Sequence, residues 1–481
     1  MAATDPVPSL DLFVLTFNAG KERIDPAAFA YHLADAFGQR AAFFPDLVVI
    51  CLQEMAPLAQ SFIGSYMIEP YFQAYASAVH IAARSCLNWT GQDREDGPFD
   101  SPYTLVASRN VGMTGIMLFA LDPRAVSGVT STEVSFGAGE MANKGAVGLR
   151  MLFSKKNALG YPRHTELTFV ATHLAPHEWN LERRNRNWET IVSGLLFRNP
   201  RKLYGANSAK PTPCTSTTDE QTPALLPRTV NEKTLHDITI YKPGSHLFVA
   251  GDLNYRISKT RPTDESDFPD LNPESPNYFG NFLALDQLSL ELEAGRTLHG
   301  LAESAISFPP TYKLKLTAKK EAPAPQTYDR PVSDVVSWKW SLNRWPGWCD
   351  RVLYLGVPDW VANSSSSQGK PLAMRTINYD ALPPVRTSDH RPVFLRLEVP
   401  VLEPEKLAPP PELCTADSKD PRINLPYPVN FDSWDNRARF KKWEVVIGWS
   451  MLFSQSKRGI TVFAAFLLIG VGSWWLRASS A

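Results

Sequence analysis

Val249-Ala250-Gly251-Asp252-Leu253-Asn254-Tyr255-Arg256-Ile257 decides how this chain is read. An apolar strand ends at a glycine and then delivers an acid and an amide two residues apart. On an extended backbone, residues i and i+2 point to the same face. Asp252 and Asn254 are therefore expected to project into one pocket at the end of a strand. An Asp there can take a proton from water, and an Asn beside it can hold that water or a phosphate oxygen. A turn that simply contains Asp and Asn is the plain alternative, and the rest of the chain weighs between the two.

Five further stretches repeat the arrangement. Leu12 to Phe17 is apolar and ends on Asn18. Leu47 to Leu52 runs into Gln53 and Glu54. Leu167 to Thr172 ends at His173. Val352 to Leu355 is entered through Trp348-Cys349-Asp350-Arg351, and Ser388-Asp389-His390-Arg391-Pro392 precedes Val393 to Leu397. Buried strands hold Glu, Asp or His only where these are paired or metal-bound. Six strands with a polar group at one end predict a site built along one rim of a sheet.

The chain has 481 residues, which suits one large domain plus appendages. Its 49 basic and 49 acidic residues cancel. That leaves no electrostatic footprint for non-specific nucleic-acid binding, and no nucleic-acid partner is expected. Five cysteines, at 51, 86, 214, 349 and 414, show no C-x-x-C spacing, so reduced thiols are expected rather than a disulfide framework or a zinc site. Met1 to Leu10 lacks a basic segment followed by an apolar core, so no secretory signal is expected.

Toward the other end, Gly459 to Leu476 carries no charge. As a helix it reaches about 27 Å, close to the hydrocarbon core of a bilayer. Lys457 and Arg458 precede it, and Trp474-Trp475 stands where an interfacial anchor belongs. The expectation is a transmembrane tail anchor over 459–476 with the rest of the chain facing the cytosol. The short span favours a thin bilayer such as the endoplasmic reticulum. A buried helix packed on the domain is the alternative. Trp443 to Phe453 is largely apolar but too short to span, so 443–456 is expected to lie along the membrane interface. Asn199 to Arg228 and Lys315 to Tyr328 read as insertions, the second a mobile loop. Residues 399–442, with Pro409-Pro410-Pro411, read as a partly extended tether behind a catalytic domain over 1–398.

Gly251 to Ile257 and Pro346-Gly347-Trp348-Cys349-Asp350-Arg351-Val352-Leu353 closely resemble the two most diagnostic segments of the inositol polyphosphate 5-phosphatases, within the Mg-dependent endonuclease, exonuclease and phosphatase superfamily. Asn143-Lys144-Gly145, Thr172-His173-Leu174, Arg184-Asn185, Phe308-Pro309-Pro310-Thr311-Tyr312-Lys313 and Ser388-Asp389-His390 extend the resemblance in order from about residue 10 to 398. It implies an α/β (α+β) DNase-I-like fold, a four-layer two-sheet β-sandwich flanked by helices. The added C-terminal transmembrane helix is similar to the tail of some fungal members.

The resemblance also implies roles. Mg²⁺ would be held by Glu54, with Asn18 holding its water or a phosphate oxygen and Asp389 a further metal water. Asp252 would deprotonate the attacking water with Asn254 beside it. His390, oriented by Asp350, would stabilise the phosphoryl group, and His173 would donate to it. Asn143, Lys144, Tyr312, Lys313 and Arg344 would grip the neighbouring phosphates. His173 could instead cap a strand, and Asp389 could only orient the backbone before His390. The chain departs from the pattern at Leu342, where the family usually has lysine, with Lys339 as the candidate substitute. The expected activity is hydrolysis of phosphatidylinositol 4,5-bisphosphate to the 4-phosphate by direct attack of water, with the phosphoinositide head group as partner. The alternatives are a phosphatase of soluble inositol 1,4,5-trisphosphate, an idle phosphoinositide-binding tether and, more remotely, a nuclease.

Overall fold

A computed structural model describes residues 7–39, 44–90, 101–203, 230–317, 336–363, 371–456 and 461. Two six-stranded mixed sheets form its centre. The first runs β13 (Arg375–Ala381), β14 (Val393–Pro400), β1 (Ser9–Asn18), β2 (Leu47–Gln53), β4 (Thr114–Ala120), β3 (Thr104–Val111). The second runs β5 (Val126–Ser135), β6 (Gly145–Lys156), β7 (Pro162–His173), β8 (Ser245–Asp252), β12 (Asp350–Leu355), β9 (Leu301–Glu303). A short hairpin joins β10 (Leu314–Leu316) to β11 (Trp338–Trp340). Each sheet has one parallel pair, β1 with β2 and β7 with β8.

The continuous apolar runs follow from burial on both faces of each sheet. In β1, Leu12 and Val14 turn toward the opposing sheet, where they pack, beside Val49 of β2, with Leu149, Phe169 and Phe248. Phe13, Leu15 and Phe17 turn outward onto the helices Pro26–Gly38 and Glu69–Thr90. In the second sheet, Val170, Val249 and Leu353 meet Trp188, Ile191 and Val192 of the helix Leu181–Gly194. The order is helix, sheet, sheet, helix, as the resemblance implied. Each fully buried side chain of this kind contributes about 1.5–3 kcal/mol. Asp25 caps the first helix, accepting from the amides of Ala27 (2.9 Å) and Ala28 (3.2 Å) ahead of Pro26.

The tether is a correction. Residues beyond β14 lie against the domain and do not extend away from it. Leu402, Leu407 and Ile423 are buried. Asn430 donates its amide to the carbonyl of Ser193 (2.9 Å), and the Trp434 indole donates to the carbonyl of Leu196 (3.0 Å). A helix then runs Ser433–Gln455 along the molecule. Backbone groups in this segment find partners on the domain, which a proline-rich composition does not reveal. Lys315 and Leu316, expected in a mobile loop, belong to β10. Most of the two expected insertions, and the tail over 459–476 apart from Thr461, lie outside the described residues. No helix among the described residues is long and apolar enough to cross a membrane.

Candidate active site

Parallel pairing puts the ends of neighbouring strands together. In β7 and β8, His173 stands opposite Asp252, and antiparallel β12 places Asp350 opposite Asp252 on the other side. Gly251 allows this close fit: a Cβ there would stand 2.0 Å from the carbonyl oxygen of Thr172. The first sheet supplies Asn18 at the end of β1, Glu54 just beyond β2 and His390 just before β14. The expected rim of one sheet is therefore the shared rim of two, because the sandwich brings their ends together.

Asp252 is the centre. Asn18 donates Nδ2 to its Oδ2 at 2.9 Å across the two sheets. His173 Nε2 lies 3.2 Å from the same oxygen and His390 Nε2 at 3.9 Å. Burial alone would raise the Asp252 pKa, but His173, His390 and Lys144 hold it well below the usual carboxylate range. His390 is fixed from behind: its Nδ1 lies 2.8 Å from Asp350 Oδ2, which also accepts from the Thr311 hydroxyl at 2.7 Å. Burial opposes a charge on His390, yet Asp350 and Asp252 raise its pKa to about 9. Burial raises the Asp350 pKa in turn. His173 is shifted the other way, lowered by burial and by the adjacent Lys144 ammonium. The site thus pairs a cationic imidazole with a neutral one at neutral pH.

Asn254 departs from the strand geometry expected of it. The strand ends at Asp252, and Asn254 has a left-handed backbone with φ of 57°. Its Nδ2 donates to the carbonyl of Leu174 (3.2 Å), Arg256 donates to its Oδ1, and its amide donates to Asp252 Oδ1 at 3.1 Å. Both ends of its side chain are engaged, so it buttresses the Asp252 carboxylate through the backbone.

The expected cationic residues lie around this core. Lys144 Nζ contacts the His173 ring and stands 3.6 Å from Glu54 Oε1, while Lys21 lies 3.1 Å from Glu54 Oε2. Asn143 serves its own loop, its Oδ1 accepting from the amide of Ala138 at 2.9 Å. The Tyr312 ring packs 4.6 Å from that of His390, and the Arg256 guanidinium lies 4.2 Å from the centre of the Tyr312 ring. Lys313 pairs with Asp389 at 2.6 Å. Arg344 faces the fully buried Glu178, Nε to Oε1 3.8 Å. Lys339 lines a separate cavity of about 500 Å³ with Phe268, Asp270 and Trp340, and Leu342 is exposed.

The model of the endonuclease/exonuclease/phosphatase family 2 matches residues 15–396. The chain belongs to this family. Among family relatives, a type II inositol polyphosphate 5-phosphatase of Arabidopsis thaliana is 29% identical over 278 residues, 58% of this chain and 21% of its own length. The polyphosphatidylinositol phosphatase INP53 of Saccharomyces cerevisiae is 26% identical over 391 residues, 80% of this chain and 26% of its own. The chain thus spans about a fifth to a quarter of these relatives. Among solved structures, the inositol polyphosphate 5-phosphatase domain of SpSynaptojanin, in complex with inositol (1,4)-bisphosphate and calcium, superposes with a TM-score of 0.51 at 20% identity. The match covers 82% of this chain and 85% of that one, and it bears out the DNase-I-like fold.

Enzymes of this family are generally dependent on divalent metal, and the donors here suit a hard cation. Glu54 is a partly exposed carboxylate whose partners are the two flexible ammonium groups of Lys21 and Lys144. Asp350 Oδ1 is buried without a hydrogen-bond partner among the described residues. Among the described residues, the group of three ligand-bearing side chains within 4.8 Å of one another is Asp252, Asp350 and His390, and neither Glu54 nor Asp389 belongs to it. His390, Asp350 and Thr311 form a hydrogen-bonded chain beside Asp252. Thr311, Ser388, Lys21 and Glu178 belong to the site but were not singled out from the sequence. Ser388 donates to the carbonyl of Asn18 and accepts from the amide of His390 (3.0 Å). Thr311 and Ser388 sit inside the family motifs. Lys21 and Glu178 carry no pattern.

Proposed function

We propose that this protein is a Mg²⁺-dependent phosphoinositide 5-phosphatase that converts phosphatidylinositol 4,5-bisphosphate to the 4-phosphate. One observation carries the reading. Asp252 is held by Asn18 from one sheet and faced by His173 from the other, with the His390–Asp350–Thr311 relay beside it. A buried acid kept ionised beside a cationic imidazole suits a water nucleophile and an anionic phosphoryl group.

Asp252 orients the attacking water through its carboxylate. A bound phosphate dianion places like charge near Asp252 and raises its proton affinity, so the acid becomes a better base once substrate is present. The His390 imidazolium, kept charged by Asp350, donates toward a phosphoryl oxygen. Glu54 would hold the Mg²⁺ with Asn18 beside it, and the ion when bound offsets phosphoryl charge. Lys144, Lys313 and Arg344 give fixed positive charge for the vicinal phosphate. The relatives' names support a phosphorylated inositol as substrate class. We further propose that 459–476 anchors the protein in the endoplasmic reticulum membrane with the domain in the cytosol, where lipid substrate is concentrated.

The test is phosphate release by the full chain from short-chain phosphatidylinositol 4,5-bisphosphate, with Mg²⁺ and with EDTA, beside Asp252→Ala. The full chain is used because the helix Ser433–Gln455 packs on the domain. Release that needs metal and is lost in the variant supports the proposal. No release from this lipid, the 3,4,5-trisphosphate lipid or inositol trisphosphate overturns it.

A further inference from the structure

The helix Ser433–Gln455 has two unlike faces. At 100° per residue, Arg437, Glu444 and Gly448 share one face, and all are buried. Gly448 makes the contact possible, since a Cβ there would stand 2.8 Å from the carbonyl oxygen of Ala59 and 3.1 Å from the Cβ of Phe62. The opposite face carries Trp443, Val446, Trp449 and Phe453, which are 60%, 54%, 47% and 52% exposed. They span eleven residues, about 15 Å of one side of the helix. Arg439 and Lys442 are exposed on that same side. The sequence continues into Lys457, Arg458 and the uncharged run Gly459 to Leu476.

The buried face is tied to the candidate site. Arg437 forms a two-pronged pair with Glu444, at 2.7 and 2.9 Å, and also reaches Glu133 of β5 at 3.0 Å. The free side of Glu444 Oε1 accepts from the amide of Ala142 at 2.8 Å, directly before Asn143 and Lys144. Further along the same face, at Gly448, the helix rests on the helix Leu58–Ile63, which follows Glu54 by a few residues. The helix therefore packs beside the loop that carries Lys144 and the segment that follows Glu54.

We propose that this outward face is a docking surface for an anionic lipid bilayer. The helix would lie in the interfacial plane with its two tryptophans, valine and phenylalanine immersed. Tryptophan prefers that depth, and basic side chains beside it complement anionic head groups. This face is flanked by cations, and the sequence after it leads through Lys457 and Arg458 into an uncharged run of bilayer length, which favours a lipid surface over a protein partner. Docking there would set the Asn143–Lys144 loop and Glu54 over the membrane surface through the Glu444 bond. The proposal deepens the phosphoinositide reading and rests on it for the identity of the substrate, but binding can be measured apart from activity.

The experiment is quenching of tryptophan fluorescence by brominated phosphatidylcholine in vesicles that also contain phosphatidylserine, using the full chain and Trp443→Phe/Trp449→Phe. The difference between the two proteins isolates two of the thirteen tryptophans and cancels Trp474 and Trp475, which both proteins share. Immersion predicts that the difference signal is strongly quenched and weakens when phosphatidylserine is omitted. A difference signal that is not quenched overturns the proposal, whether the face proves to be in water or covered by residues 459–476 or a second copy. A second variant, Trp443→Ser/Val446→Ser/Trp449→Ser/Phe453→Ser, should lose about tenfold in turnover of vesicle-borne substrate and keep its turnover of soluble short-chain lipid. Equal losses on both would also overturn it. Absence of all turnover with quenching intact would sink the phosphatase reading alone.

Discussion

Asp350→Asn isolates what the buried acid does for His390. The side chain keeps its shape and an oxygen that can accept from Nδ1, so the 2.8 Å contact survives and only the charge is lost. His390 titrates at about 9 against an ordinary 6.5. At about 1.4 kcal/mol per tenfold, that gap is roughly 3 kcal/mol in favour of the imidazolium. Asp350 contributes more of it than Asp252, which stands 3.9 Å away and makes no hydrogen bond to the ring. Because burial opposes the charge, the gross attraction exceeds this net gap, and removing roughly 3 kcal/mol of it should bring the His390 pKa to roughly 7 or below. At pH 8 most of the wild-type imidazole is charged, and about one molecule in ten of the variant is. If the imidazolium is the working form, turnover falls about tenfold at pH 8 and recovers toward wild type near pH 6. The pH–rate profile measures this, with an imidazole NMR titration of His390 beside it. The same charge affects stability. A histidine whose folded pKa is raised stabilises fully below about 6.5 and loses that contribution as pH rises through about 9. Wild-type melting temperature should decline across this window more steeply than that of the variant. A loss of turnover equal at every pH, or an unmoved His390 titration, would refute the reasoning.

Three other outcomes follow from the packing. Lys144→Met removes the ammonium shared by Glu54 and His173 and should lower kcat/KM on the bisphosphate lipid about ten- to hundredfold by steady-state kinetics, the worth of one or two charged hydrogen bonds. A value within twofold of wild type would exclude Lys144 from phosphate binding. Gly251→Ala places a methyl 2.0 Å from a backbone oxygen and must push β7 from β8; urea unfolding should show a loss of several kcal/mol, and retention of wild-type stability would contradict the pairing of Gly251 with Thr172. Arg437→Ala strands the buried Glu444 carboxylate and should cost about 3–5 kcal/mol in the same assay, with Arg437/Glu444 replaced together by Met and Leu costing far less. A single-variant cost under about 1 kcal/mol would mean that the helix Ser433–Gln455 is not docked on β5 and the Ala142 loop.

Much of the site was legible because strand ends announce themselves. Asn18, Glu54, His173 and Asp252 each follow a run too apolar to be solvent-exposed, and a parallel neighbour brings such ends to one level. Asn254 misled for a definable reason: period-two reasoning was carried two residues past the end of the strand, into a left-handed turn. The segment after β14 misled because proline content describes local stiffness and says nothing of what lies alongside.

The sequence by itself determined the apolar strands, the acids, amides and imidazoles at their ends, and the family motifs that order them, since all of these are local in the chain. Only the tertiary structure decided that Asn18 meets Asp252 across 234 positions, that Thr311 and Asp350 brace His390, and that Glu444 holds the loop of Lys144. Those contacts depend on how two sheets pack face to face and where a late helix docks. That is set by complementary side-chain shapes distributed along the whole chain, and no short stretch carries it.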